Sequence, residues 1–125
     1  MSPRGRNARK SYRDLLVWKR AMDLASSCYT LSESFPERAF GSLTSDLRHA
    51  VVQISAEIAK GNGRFRAEQY IFHLSAAHGA VYETETYLLL AVKLGYIEHD
   101  AARDVLALTE EIAGLIEDQR DQAAR

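Results

Sequence analysis

The stretch from Leu43 to Leu94 constrains this chain most. Two long runs without proline meet at one glycine-punctuated turn, Gly61-Asn62-Gly63-Arg64. In the first run Leu43, Leu47, Ala50, Val51, Ile54 and Ile58 fall on one helical face. That spacing predicts a helix from near Ser42–Thr44 to the turn. Gly61 suits the left-handed position that closes a helix, and Gly63 adds a second permissive residue. The second run predicts a helix from about Ala67 to Leu94, stopped by Gly95, spanning roughly 40 Å at ~1.5 Å per residue. Its inward stripe is Ile71, Leu74, Ala77, Val81, Leu88 and Val92. Off that stripe stand Phe72, Tyr82, Tyr87, Leu89 and Leu90. A helix this apolar around its circumference buries more than one side, so those five are candidates for a subunit interface. Looser packing with a few exposed aromatics is the plainer alternative. Gly79 in mid-helix costs ~1 kcal/mol relative to Ala, which close helix approach is expected to offset.

Such a hairpin cannot bury its apolar face alone, and the flanking segments supply partners. The first helix is expected from Ser11–Asp14 to about Ser34, with Asp14 as N-cap or first-turn acid. Leu15, Trp18, Met22, Ala25 and Tyr29 repeat at three and four residues, and Leu16, Leu24, Cys28 and Leu31 widen the stripe. Phe35-Pro36 stops this helix and Phe40-Gly41 completes the connector. A fourth helix begins near Glu98–Asp100. It turns Val105, Leu108, Ile112 and Leu115 inward, with Glu110, Glu111, Glu117 and Asp118 outside. No segment reads as a strand. The chain has 125 residues, enough for one domain with its own core. Short connectors make sequential helices neighbours. The expected fold is therefore all-α, an antiparallel up-down-up-down four-helix bundle over residues 12–119. Residues 1–11 form a flexible basic arm and 120–125 a frayed end.

The formal net charge is −1, which gives no bulk argument for a nucleic-acid or membrane partner. The charge is unevenly spread: Met1–Arg66 carries twelve Lys/Arg against six Asp/Glu, and Ala67–Arg125 four against eleven. Either antiparallel helices neutralise one another inside the bundle, or an assembly presents one basic and one acidic surface. The basic, polar N-terminus has no apolar core of a signal peptide. No run of apolar residues reaches the ~18 of a membrane span. Cys28 is the only cysteine, so an intrachain disulfide is impossible. It reads as a small buried hydrophobe, and a cytoplasmic location suits a lone thiol.

No catalytic or metal motif stands out, so neither an enzyme activity nor a cofactor is expected. His73 and His78 are five apart, on different helix faces, and His49 and His99 are isolated. The Glu-x-x-His pattern of di-metal bundles does not occur. Glu83 and Glu85 point about 200° apart on a helix and cannot form an acid/base pair, though one of them can face inward. Counting across the hairpin sets Arg48 against residues 79–83. An Arg48–Glu83 ion pair is therefore expected, with both groups solvated as the alternative. Gly61-Asn62-Gly63-Arg64 lacks the Gly-Lys-Ser/Thr ending of a phosphate loop and follows a helix, so it is a turn. Lys60, Arg64 and Arg66 still make a basic tip there. With Arg9 and Lys10 of the arm, that tip is the candidate nucleic-acid contact. Phe65 can stack on a base, though packing over the turn is the commoner role.

In order along the chain stand Val17-Trp18-Lys19-Arg20-Ala21-Met22-Asp23-Leu24, Phe35-Pro36, Phe40-Gly41-Ser42-Leu43, Leu47-Arg48 and Ile58-Ala59. They continue with Gly61-Asn62-Gly63-Arg64, Gly79-Ala80-Val81-Tyr82-Glu83-Thr84-Glu85-Thr86 and Leu94-Gly95-Tyr96-Ile97. Together these segments resemble the four-helix-bundle family of proteins encoded in intervening sequences of 23S ribosomal RNA genes. That family includes the accessory variability proteins of diversity-generating retroelements. The resemblance runs from about Leu15 to Ile116. It implies a small cytosolic homopentamer and, in the retroelement branch, nucleic-acid binding beside a reverse transcriptase. The sequence departs from the pattern at Ser55 (usually Pro), Glu57 (usually Asn) and Lys60 (usually acidic). His49 stands where a second basic residue is common, and Arg66 where a Ser caps the third helix. Loss of that cap is worth about 1 kcal/mol unless another group replaces it. The pI of about 6.4 also differs from the strongly basic retroelement proteins. The expectation is a non-catalytic, self-associating adaptor for RNA, DNA or a nucleic-acid enzyme. The alternative is a protein-only scaffold that docks through its acidic fourth helix.

Overall fold

The computed structural model describes residues 11–125. A 3-10 turn, Tyr12–Asp14, leads into α1 (Leu16–Ser32). A second 3-10 turn, Glu37–Ala39, and a π-helical turn, Phe40–Thr44, run directly into α2 (Ser45–Asn62). Then come α3 (Ala67–Lys93) and α4 (His99–Ala124). Among the described residues there is no strand. Each helix packs on its neighbours in sequence and α1 closes against α4, forming a four-helix bundle.

The core explains the periodicity. Leu47, Val51, Ile54 and Ile58 of α2 are fully buried against Leu74, Ala77, Val81 and Leu88 of α3, Leu24 and Cys28 of α1, and Ile112 and Ile116 of α4. Residue pairs fix the α3–α4 direction: Tyr70 with Gln119, His78 with Glu117 and Glu85 with Thr109 run antiparallel. Glu85 is thus the inward-facing carboxylate, while Glu83 is exposed.

Several sequence expectations shift in phase. In α1 the buried residues are Val17, Ala21, Leu24, Cys28 and Ser32, so Met22 and Tyr29 are exposed and Trp18 is half-buried. The buried line keeps Leu24 and Cys28 of the widened stripe and adds Val17, Ala21 and Ser32. In α4, Leu108 and Leu115 flank the buried line Val105, Thr109, Ile112, Ile116. Helix α4 continues to Ala124, past the expected fraying at Arg120, with Ala123 packed on the core.

The glycines also sort differently. Gly95 alone among the described residues has a positive φ, 78°. It ends α3 in a Schellman motif, with Tyr96 N–H donating to the Ala91 carbonyl at 2.9 Å and Gly95 N–H to Val92 at 3.0 Å. Gly61 is not a left-handed cap. It lies inside α2, where a Cβ would come within 2.7 Å of His73 Cβ, so its role is close helix approach. Gly79, expected to allow such approach, has nothing within 4 Å of its Cβ position.

Candidate nucleic-acid interface

The turn between α2 and α3 forms one end of the bundle. Arg66 enters α3 with extended backbone and no side-chain cap, and Arg64, Phe65 and Arg66 are all exposed on the link. Phe65 is 98% exposed; it does not pack over the turn. It borders a cleft of about 360 Å³ that also meets Leu15, Tyr70, Gln119 and Ala123. The start of α1 and the end of α4 are thus at the same end of the bundle as the turn. A second cleft, about 380 Å³, lies between Arg64, Glu68, Gln69, Phe72 and His73. Phe72 is 67% exposed and sets its ring edge-on to His73, 5.4 Å between centroids.

The cations are not all equally free. Lys60 Nζ lies 2.9 Å from Glu57, and Arg66 is 2.5 Å from Glu68. Arg64 Nε donates a long bond, 3.4 Å, to His73 Nε2. Because a guanidinium only donates, His73 Nε2 must accept. Its proton therefore sits on Nδ1, which reaches Glu57 Oε1 at 2.7 Å. Glu57 and His73 are both largely buried. Burial pushes the Glu57 carboxyl up, but hydrogen bonds from His73 and Lys60, aided by the Lys60 charge, hold it below the usual carboxylate value. Glu57 thus pairs with both Lys60 and His73. Sequence reasoning missed the His73 link. The hairpin count that set Arg48 against 79–83 also sets Glu57 against 70–74, so the signal was present. Arg9 and Lys10 lie outside the described residues.

The expected Arg48–Glu83 ion pair does not form. Arg48 turns instead toward the end of α1. It donates from Nε to Ser32 Oγ at 2.9 Å and from Nη2 to the Tyr29 carbonyl at 3.3 Å, with its guanidinium 4.7 Å over the Tyr29 ring. These contacts satisfy the buried Ser32 and stack the cation without a carboxylate. Glu83 instead accepts from Tyr87 at 2.9 Å, one turn along α3. Tyr87 is half-buried against the core, whereas Phe72, Tyr82, Leu89 and Leu90 are exposed.

The acidic α4 does neutralise a basic neighbour. Glu111 receives both Nε and Nη2 of Arg20, at 2.9 and 3.1 Å. That bond and the cation's charge hold the Glu111 carboxyl below its usual value despite some burial, and raise Arg20. His49 and His99 are exposed. Among the described residues no cluster of three His, Cys, Asp or Glu is placed to hold a metal. No described helix is long and apolar enough to cross a membrane.

Fold and site define a class: a small all-α bundle whose distinctive surface is a helical-hairpin tip carrying arginines and bare aromatics. The chain belongs to the 23S rRNA-intervening sequence protein family, whose model matches residues 13–118. No curated protein matches it.

Proposed function

We propose that this protein is a non-catalytic, self-associating adaptor that contacts single-stranded nucleic acid through the α2–α3 tip. The observation that carries the proposal is Phe65, 98% exposed between Arg64 and Arg66. A bare phenylalanine costs solubility and contributes nothing to this core. Beside two arginines it can stack on a base while they meet the flanking phosphates. Phe72 supplies a second ring across the neighbouring cleft. Self-association uses the outer face of α3, where Tyr82, Leu89 and Leu90 are exposed. A homopentamer in the cytoplasm, with an RNA, a DNA or a reverse transcriptase as partner, is the form this proposal takes from the family resemblance.

The test is binding of a labelled single-stranded oligonucleotide across a salt series. Affinity should fall steeply with salt, and Phe65→Ala should weaken it about fivefold or more, the effect of losing ~1–3 kcal/mol of stacking. No binding at low salt would refute this reading and leave the protein-only scaffold.

A further inference from the structure

Resting on that reading, we infer that His73 is a further phosphate-contacting residue of the tip, recruited by protonation, which at the same time frees Arg64. The geometry carries the step. Neutral His73 donates from Nδ1 to Glu57 and accepts at Nε2 from Arg64, so Arg64 Nε is spent inside the protein. Adding a proton at Nε2 turns the acceptor into a donor. Two donors then face each other at the place where 3.4 Å now separates Nε2 from Arg64 Nε. An anion accepting from both resolves the conflict, and a phosphate has paired oxygens that suit two neighbouring N–H groups. The cleft of about 380 Å³ beside them gives it room, and Phe72 forms an apolar wall for the attached base.

The surrounding charges favour this exchange. On α2, Glu57 stays on Nδ1 and Lys60 stays on Glu57, so the imidazolium keeps a counter-charge behind it. The turn contributes Arg64. On α3 itself, Glu68 lines the cleft but is held by Arg66. Among the described residues, α4 places no charged group in ion-pair range of the ring. Gly61 keeps the backbones close enough for the cluster to form.

Two measurements on the full chain test it. Nitrogen NMR of the His73 ring should show the Nδ1-protonated neutral form. The Arg64 Nε–H signal should move in step with the His73 ring nitrogens as the solution is acidified and the ring takes up its second proton. An Nε2-protonated form, or an Arg64 signal indifferent to His73, overturns the inference whatever the binding data show. Binding of a labelled oligouridylate should tighten at lower pH. Its log-affinity against log-salt slope should steepen by about 0.7 to 1.4, one to two added contacts. His73→Asn keeps a donor toward Glu57 but cannot take the proton, and should abolish the steepening while circular dichroism stays native. An unchanged pH response in this variant contradicts the proposal. Absence of binding at every pH, with the NMR coupling intact, refutes the nucleic-acid reading and the phosphate role with it.

Discussion

The same substitution, glycine to alanine, should have opposite effects at two helical positions. At Gly61 an added Cβ lies 2.7 Å from His73 Cβ and 3.0 Å from Tyr70 Cδ1. The tyrosine ring can turn a little. The His73 Cβ cannot, because the α3 backbone carries it. Ordinary carbon contacts need about 3.5–4.0 Å, so α2 and α3 must part by roughly 1 Å beside the turn. Overpacking of that kind costs about 1–3 kcal/mol. Removing glycine from the last helical turn returns at most about 1 kcal/mol. Gly61→Ala should therefore destabilise by about 1–2 kcal/mol. At Gly79 nothing lies within 4 Å, and only the propensity gain of about 1 kcal/mol remains. The gap between the variants is then about 2–3 kcal/mol. With urea slopes of about 1–3 kcal/mol per molar, their midpoints should differ by roughly 1 M or more. Unfolding must be followed at one protomer concentration, since self-association shifts apparent stability. A Gly61→Ala protein as stable as wild type, or two variants moving in the same direction, would refute the close-approach account of Gly61.

Three further outcomes follow from particular contacts. The Cys28 thiol is fully buried and pushed up to about 12 by burial, so thiol reagents should label it at neutral pH only when the protein unfolds; rapid native labelling contradicts its placement. The Glu57 carboxyl is held low in the fold, so its stabilisation is present above the ordinary glutamate value of ~4.3 and is lost as pH falls through the folded value. Glu57→Gln should thus flatten the acid limb of a stability-against-pH curve, and an unaltered limb rules out the contribution. Leu89→Ser combined with Leu90→Ser should lower the sedimenting mass without lowering helix content, whereas an unchanged mass moves the self-association surface elsewhere.

The hairpin was legible because its signals are local. Leu47, Val51, Ile54 and Ile58 repeat at helical spacing, and Gly95 needs only its own neighbours to close α3. What sequence could not supply was rotation. The count across the hairpin sets Arg48 against Glu83, yet Arg48 turns toward α1 and Glu83 toward solvent. In α1, spacing alone could not separate the seam of Val17, Ala21, Leu24 and Cys28 from the larger side chains one residue away. The tip was legible as a basic cluster, since Lys60, Arg64 and Arg66 are adjacent in sequence. Its linkage through His73 was not, because it depends on how near α2 and α3 come, which Gly61 sets. For Phe65 the sequence leaves base stacking and turn packing both open; the structure sets it clear of the turn, 98% exposed.

Ultraviolet cross-linking to a single-stranded oligouridylate, followed by mass spectrometric mapping, tests the central claim most directly. The account predicts that the attached nucleotide maps to the tip, on Phe65 first and Phe72 second, and that Phe65→Ala removes the main adduct. Adducts confined to Tyr29 and Phe40 at the far connector, or none at protein concentrations where binding is saturated, would contradict it.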